Sequence, residues 1–193
     1  MGNLSDGLLF IVSAPAGTGK TTLVRLLIKN FPCLVESVSC TTRPMRAGEE
    51  EGRDYFFMTH EAFEAKKNRG DFLESAKVFG HWYGTSKDFI NVQRRSGKHV
   101  ILVIDTQGAL YLQTTKIKAS YIFIAPPNFE VLQERLLARK TENEEERNLR
   151  LSWSHRELDL SLYYDFFIVN SELEVAYEVL KSILISEEHR VNN

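Results

Sequence analysis

Lys20 and Thr21 stand in a spacing that holds phosphate. They belong to the stretch Ala14-Pro15-Ala16-Gly17-Thr18-Gly19-Lys20-Thr21-Thr22, which follows an unbroken apolar run at 8–12 and precedes Leu23, Leu26 and Leu27 at helical spacing. A short apolar run stopped by turn residues predicts a buried parallel strand. Strand, glycine-rich turn, Lys-Thr and helix make a P-loop in the context that motif requires. Gly17 and Gly19 free the backbone so that several N–H groups can point inward, and the helix start adds its positive dipole end. Lys20 is expected to reach the outer phosphates of ATP, and the Thr21 hydroxyl to ligate magnesium. Ala14 takes the usual first glycine position, so the turn must begin at ordinary negative φ. The alternative is a glycine-rich turn that binds nothing.

A kinase of a small substrate needs a second anion site facing the first. The polar stretch 40–54 has Pro44, Gly48 and Gly52 and no apolar period, which predicts a long functional loop. Pro44 holds Arg43 extended, and a turn after it can bring Arg43 and Arg46 to one oxyanion. Tyr55 and Tyr83 are phenols that could donate to the same phosphate. Loop arginines are more often simply solvated, and spacing alone leaves both readings open. Asp105 ends an apolar strand, where ligands collect in open α/β sheets.

These groups need elements to hold them. The chain predicts strands at 34–39, 55–58, 72–79, 100–104, 121–125 and 166–169, with a turn at 80–83. Helices are expected at 60–69, 86–95, from 108, at 128–139 and, after the polar acidic stretch 140–146, on to 162. Ser171 and Glu174 have capping-box spacing for a last helix. The 35–95 segment is hairpin-like; the βαβ pattern surrounds it. The fold expected is α/β: a P-loop NTPase core, its parallel sheet flanked by helices, over 1–34 and 96–193. An inserted α+β monophosphate-binding lobe would occupy 35–95, and a lid about 139–150.

The 193 residues are 43% hydrophobic and 26% charged, enough for an ordinary core. A net charge of −2 gives no basic field for nucleic acid. Two cysteines, without a Cys-x-x-Cys, suggest a reducing compartment. The run at 8–12 is too short to cross a membrane and has no basic leader. A cytoplasmic monomer or weak homo-oligomer, with no membrane or nucleic-acid partner, is expected.

Ser39, Thr41, Thr42, Arg43, Arg46, Gly48 and Glu49, followed by Gly52, Asp54, Tyr55 and Phe57, resemble the GMP-binding lobe of guanylate kinases. Phe72-Leu73-Glu74, Tyr83-Gly84-Thr85, Asp105-x-Gln107-Gly108 and Ile168-Val169-Asn170 are similar to further family segments, so the resemblance covers nearly the whole chain. It implies magnesium-dependent transfer of the ATP γ-phosphoryl group to GMP or dGMP. Arg43, Arg46, Tyr55 and Tyr83 would hold the GMP phosphate; Glu74 and Asp105 would read guanine, with Ser39 and Thr85 near O6. A carboxylate accepts guanine's N1–H and amino group together and is repelled by adenine's N1 lone pair. Without the resemblance, Glu74 reads as a solvent-facing edge-strand residue. Arg135, Arg139 and Arg150 would clamp the transferring phosphoryl group, and Asn170 would help hold adenine.

Two positions depart from the family pattern. Val103 stands where a second acidic residue is common, so water-mediated magnesium contacts would rest on Thr21 and Asp105. Lys140 replaces a common glycine beside the lid. The rivals are a kinase of another monophosphate, which the two carboxylates oppose, and a non-enzymatic interaction module, which the intact Gly19-Lys20-Thr21 opposes.

Overall fold

The computed structural model describes residues 6–115, 117–137 and 144–191; of 144–150 it describes the backbone only. The apolar runs become the strands of one parallel sheet. β1 (Leu9–Ser13) is buried along its whole length and lies between β7 (His99–Val103) and β8 (Ser120–Ala125). β2 (Leu34–Glu36) and β9 (Phe166–Val169) form the two edges, giving the order β2-β7-β1-β8-β9, all parallel.

Both faces of this sheet are covered, which is why its strands are apolar without alternation. Phe10, Val12, Ile101 and Ile122 pack against α1 (Lys20–Asn30) and α7 (Leu173–Glu188). Leu9, Ile11, Val100 and Leu102 pack against α3 (Lys87–Arg95) and α4 (Thr106–Thr114).

A second, four-stranded sheet has the order β4-β3-β6-β5. It is built from β3 (Cys40–Thr41), β4 (Phe56–Phe57), β5 (Phe72–Val78) and β6 (His81–Ser86). α2 (His60–Asn68) caps it through Phe63, stacked on Phe72 at 4.6 Å and on Trp82 at 5.9 Å. Gly84 makes this possible: a Cβ there would lie 3.0 Å from both the Phe63 and Phe72 rings. α5 (Phe129–Leu137) and α6 (Glu144–Asp159) complete the chain.

Several expectations are corrected. The strand expected at 34–39 ends at Glu36, with Leu34, Val35 and Glu36 paired to β7, and Cys40 and Thr41, expected in the long polar loop, form a strand of the other sheet. α3 packs Ile90 against the core sheet. The second sheet therefore runs from Cys40 to Ser86, inside the 35–95 span. The turn expected at 80–83 falls at Phe79 and Gly80, with φ of 47° and 84°, so β6 starts at His81 and carries Tyr83 and Thr85. The capping box at Ser171 does not form. Asn170 N–H continues the ladder to Ala125 O at 2.8 Å, and α7 starts at Leu173 without a side-chain cap. Part of the lid expected at about 139–150, Lys140 included, lies outside the described residues.

Candidate active site

A cleft of about 470 Å³ opens between the carboxyl ends of β1 and β7 and the second sheet. Its floor is the turn after β1. Gly17 and Gly19 have φ of 89° and 95°, and Ala14 stays out of the left-handed region as its side chain requires. Thr18 ties the turn together by donating its hydroxyl to Pro15 O at 2.8 Å. Lys20 Nζ donates to Ile104 O at 3.3 Å, and Thr21 and Thr22 lie exposed on the cleft.

Two residues expected at ligands support this turn from behind. Asn170 is buried and donates Nδ2 to Thr18 O at 2.7 Å. Arg135 donates to Thr18 O at 3.3 Å and to Asn170 O at 3.2 Å. The packing is close: a Cβ on Gly19 would come within 2.6 Å of Asn170 Nδ2. Neither residue lines the cleft. Arg139 lies outside the described residues, and Arg150 is on α6 with its side chain outside them.

The facing wall comes from the second sheet. Arg43 is buried, and its guanidinium meets Glu49 through two bonds, Nη2–Oε1 at 2.7 Å and Nη1–Oε2 at 3.0 Å. Arg43 Nε donates to Tyr83 Oη at 3.2 Å, which leaves the phenol's own hydrogen for a ligand. The Tyr55 ring lies 5.3 Å from the guanidinium carbon and edge-on to Tyr83. Glu49 also accepts from Arg46 N–H at 2.8 Å. Burial opposes the Arg43 charge, but the Glu49 and Tyr83 contacts outweigh it and hold its pKa above the ordinary value. Burial likewise opposes the Glu49 charge, and Arg43 and the Arg46 N–H prevail, so its pKa is lowered. Arg43, Arg46, Tyr55 and Tyr83 all line this wall.

At the closed end, Glu74 is only 5% exposed although β5 is an edge strand. Its environment is α4: Gly108 sits so close that a Cβ there would lie 2.7 Å from Glu74 Oε2. Thr85 donates its hydroxyl to Glu74 Oε1 at 2.5 Å. Burial raises the Glu74 pKa, Thr85 restrains the rise and Asp105 adds to it, leaving it at about 7. Asp105 caps α4, its Oδ1 accepting from Gly108 N–H at 2.9 Å. Burial raises its pKa against the opposing pull of that N–H and of Lys20. Ser39 is buried and also lines the cleft.

The cleft also holds residues that no sequence motif marks, Arg25, Glu36 and Ser37 among them. Arg25 lies four residues past Thr21 and so on the same helix face, a spacing that could have revealed it. Glu36 is the last residue of β2, at the carboxyl end of a parallel strand where ligands collect. The Ser37 hydroxyl is buried and makes no hydrogen bond among the described residues, a donor in want of a ligand or water.

Comparison with known proteins agrees with this arrangement. The guanylate kinase family model matches residues 7–187. A guanylate kinase of Protochlamydia amoebophila is 52% identical over 191 residues, 99% of this chain and 96% of that one. One from Thermotoga maritima is 43% identical over 185 residues, 96% of this chain and 89% of that one. The crystal structure of guanylate kinase from Anaplasma phagocytophilum superposes with a TM-score of 0.81 at 31% identity, over 97% of this chain and 89% of that one.

Proposed function

The chain belongs to the guanylate kinase family, and from its two-sided cleft we propose that it transfers the γ-phosphoryl group of ATP to GMP and dGMP. The observation that carries this reading is Glu74: a buried carboxylate at the closed end of a cleft with a phosphate loop on one wall and an arginine–tyrosine cluster on the other. Glu74, with Asp105, accepts the two donors on guanine's edge. Ser39 and Thr85 stand near O6. Arg43, Arg46, Tyr55 and Tyr83 hold the GMP phosphate, with Tyr83 free to donate because Arg43 Nε occupies its oxygen as donor.

ATP lies with its phosphates on the turn from Ala14 to Thr22, where inward N–H groups, the start of α1 and Lys20 supply positive potential. Arg135 and Asn170 keep that turn in shape through the Thr18 carbonyl. A phosphate oxygen of GMP attacks the γ-phosphorus in line and ADP leaves, without a covalent enzyme intermediate. Lys20 and Arg43 then spread the charge on the transferring group from opposite walls. We assign Arg139 and Arg150 to the same task.

The Thr21 hydroxyl and the Asp105 carboxylate are hard oxygen donors beside Lys20, a set that fits magnesium, with Asp105 acting through water. Magnesium held there supplies charge neutralisation on the phosphates. Among the described residues no helix is long and apolar enough to cross a membrane, and both cysteines are free thiols. We place the enzyme in the cytoplasm as a monomer or weak homo-oligomer serving purine nucleotide metabolism.

A coupled assay of ADP release across GMP, dGMP, AMP and UMP tests the reading. Turnover is expected with GMP and dGMP only, and Lys20→Ala abolishes it. Comparable rates with AMP would remove the base-reading role of Glu74.

A further inference from the structure

Arg25 stands at the seam between the two halves of the cleft. It belongs to α1, the helix that begins with Lys20 and Thr21, so its backbone is rigidly tied to the phosphate turn. Its Nη2 donates to Asp54 Oδ1, a residue of the inserted lobe. The two side chains are 54% and 12% exposed, so the lobe partner is the less exposed one.

Asp54 is also the knot of its own loop. Its Oδ2 accepts from Glu50 N–H at 2.9 Å and from Arg53 Nε at 3.0 Å. Its sequence neighbours Tyr55 and, through that loop, Glu49 are the groups that set the Arg43 guanidinium. One ion pair therefore ties the P-loop helix to the loop that carries the second phosphate site. On the core side, Glu36 feels the same guanidinium, and Asp54 acts on it as a like charge. Arg25 lies electrostatically between two carboxylates, one from each half.

We infer that Arg25 is a positioning residue for GMP: by pairing with Asp54 and screening it from Glu36, it holds the phosphate-reading loop at working distance from the P-loop. The inference rests on the reading of the lobe as the GMP site. In this role Arg25 acts through Asp54 rather than on a substrate. It raises the population of the seated lobe, and apparent affinity scales with that population. ATP, held by the turn itself, gains nothing from the pair.

The test is steady-state kinetics of ADP release, with KM for each substrate. Arg25→Met keeps the aliphatic stem and removes the charge. It is expected to raise KM for GMP about three- to fivefold, the scale of a partly exposed ion pair, with KM for ATP unchanged. Adding Glu36→Gln to Arg25→Met is expected to return KM for GMP part of the way, because one of the two facing carboxylates is gone. Asp54→Asn keeps the cap on Glu50, and combined with Arg25→Met it should cost no more than the worse single change. Raising salt to about 0.5 M should bring the ratio of variant to parent KM towards one, as the Debye length falls to a few ångströms.

An equal rise in KM for ATP, additive effects in the double variant, no relief from Glu36→Gln, or a salt-insensitive ratio would overturn the inference while leaving the kinase reading intact. A parent chain that fails to saturate with GMP would overturn both.

Discussion

Thr85 and Glu74 face each other across the β5–β6 pair, and the threonine hydroxyl donates to Glu74 Oε1 at 2.5 Å. That bond leaves Oε2 as the oxygen turned towards α4 and Gly108. Glu74 is a carboxylate kept in a site that resists its charge, and its pKa of about 7 has consequences for binding and for stability.

In the base-reading role proposed for Glu74, GMP needs the ionised form, since a protonated carboxyl would turn a donor towards a donor. Affinity for GMP is expected to fall about tenfold per pH unit below about 7, following the one-proton linkage. Glu74→Gln should lose this acid limb and lower kcat/KM for GMP about 10- to 150-fold, the equivalent of 1.5–3 kcal/mol for a charged hydrogen bond. The sign for stability is the reverse. The folded pKa lies above the ordinary 4.5, so the penalty is absent below 4.5 and grows as pH rises to about 7. Glu74→Gln should therefore melt above the parent at pH 8 and not at pH 4.5.

Gly108→Ala separates stability from recognition. The new Cβ would lie 2.7 Å from Glu74 Oε2, and the yielding atom is the end of that side chain. Alanine inside a helix contributes up to about 1 kcal/mol over glycine. The variant is expected to melt no lower than the parent and to raise KM for GMP about tenfold, with KM for ATP unchanged. Thermal melts and kinetics on one preparation check both halves.

How much of this was legible in the sequence depends on how local the signal is. The turn around Lys20 and the apolar strands β1, β7 and β8 depend on neighbours in the chain, and they stand where the residues imply. β6 is hard to read because its hairpin places Phe79 at φ 47°, a conformation that a bulky side chain rarely adopts, and because Gly84, paired on both sides within the strand, weakens its β pattern in the sequence. The burial of Glu74 was hidden because α4 shields the sheet edge, a contact between distant segments. The family resemblance places Arg135 at the transferring phosphoryl group. Only the fold shows that its donors meet Thr18 and Asn170 carbonyls.

Glu49 is expected to matter to GMP although it is an acid beside an anion site. It fixes both Arg43 and the Arg46 backbone, and its removal frees a buried guanidinium to reorient. Glu49→Ala should raise KM for GMP about tenfold and leave KM for ATP alone. Arg43→Lys should cost more, about a hundredfold in kcat/KM, because a lysine cannot reproduce the paired contact with Glu49 and the bond to Tyr83 together. Titration of each variant with GMP by calorimetry reads the loss directly.

Arg135 offers the sharpest choice between two roles. As a support for the phosphate turn it shares the Thr18 carbonyl with Asn170 and also holds the Asn170 carbonyl, so the three residues act as one unit. Arg135→Ala should then raise KM for ATP about five- to tenfold, the loss of two charged bonds to half-buried carbonyls offset by water. Asn170→Ala should do the same, and the double variant should add little, since residues of one network are not additive. KM for GMP should not move in any of the three. A thousandfold fall in kcat at unchanged KM for ATP would instead put the guanidinium on the phosphoryl group during transfer, which requires it to leave Thr18. Rescue distinguishes the two further: Arg135→Lys keeps a donor for one carbonyl and should recover part of the ATP affinity, whereas a planar contact to a phosphoryl group would not be restored.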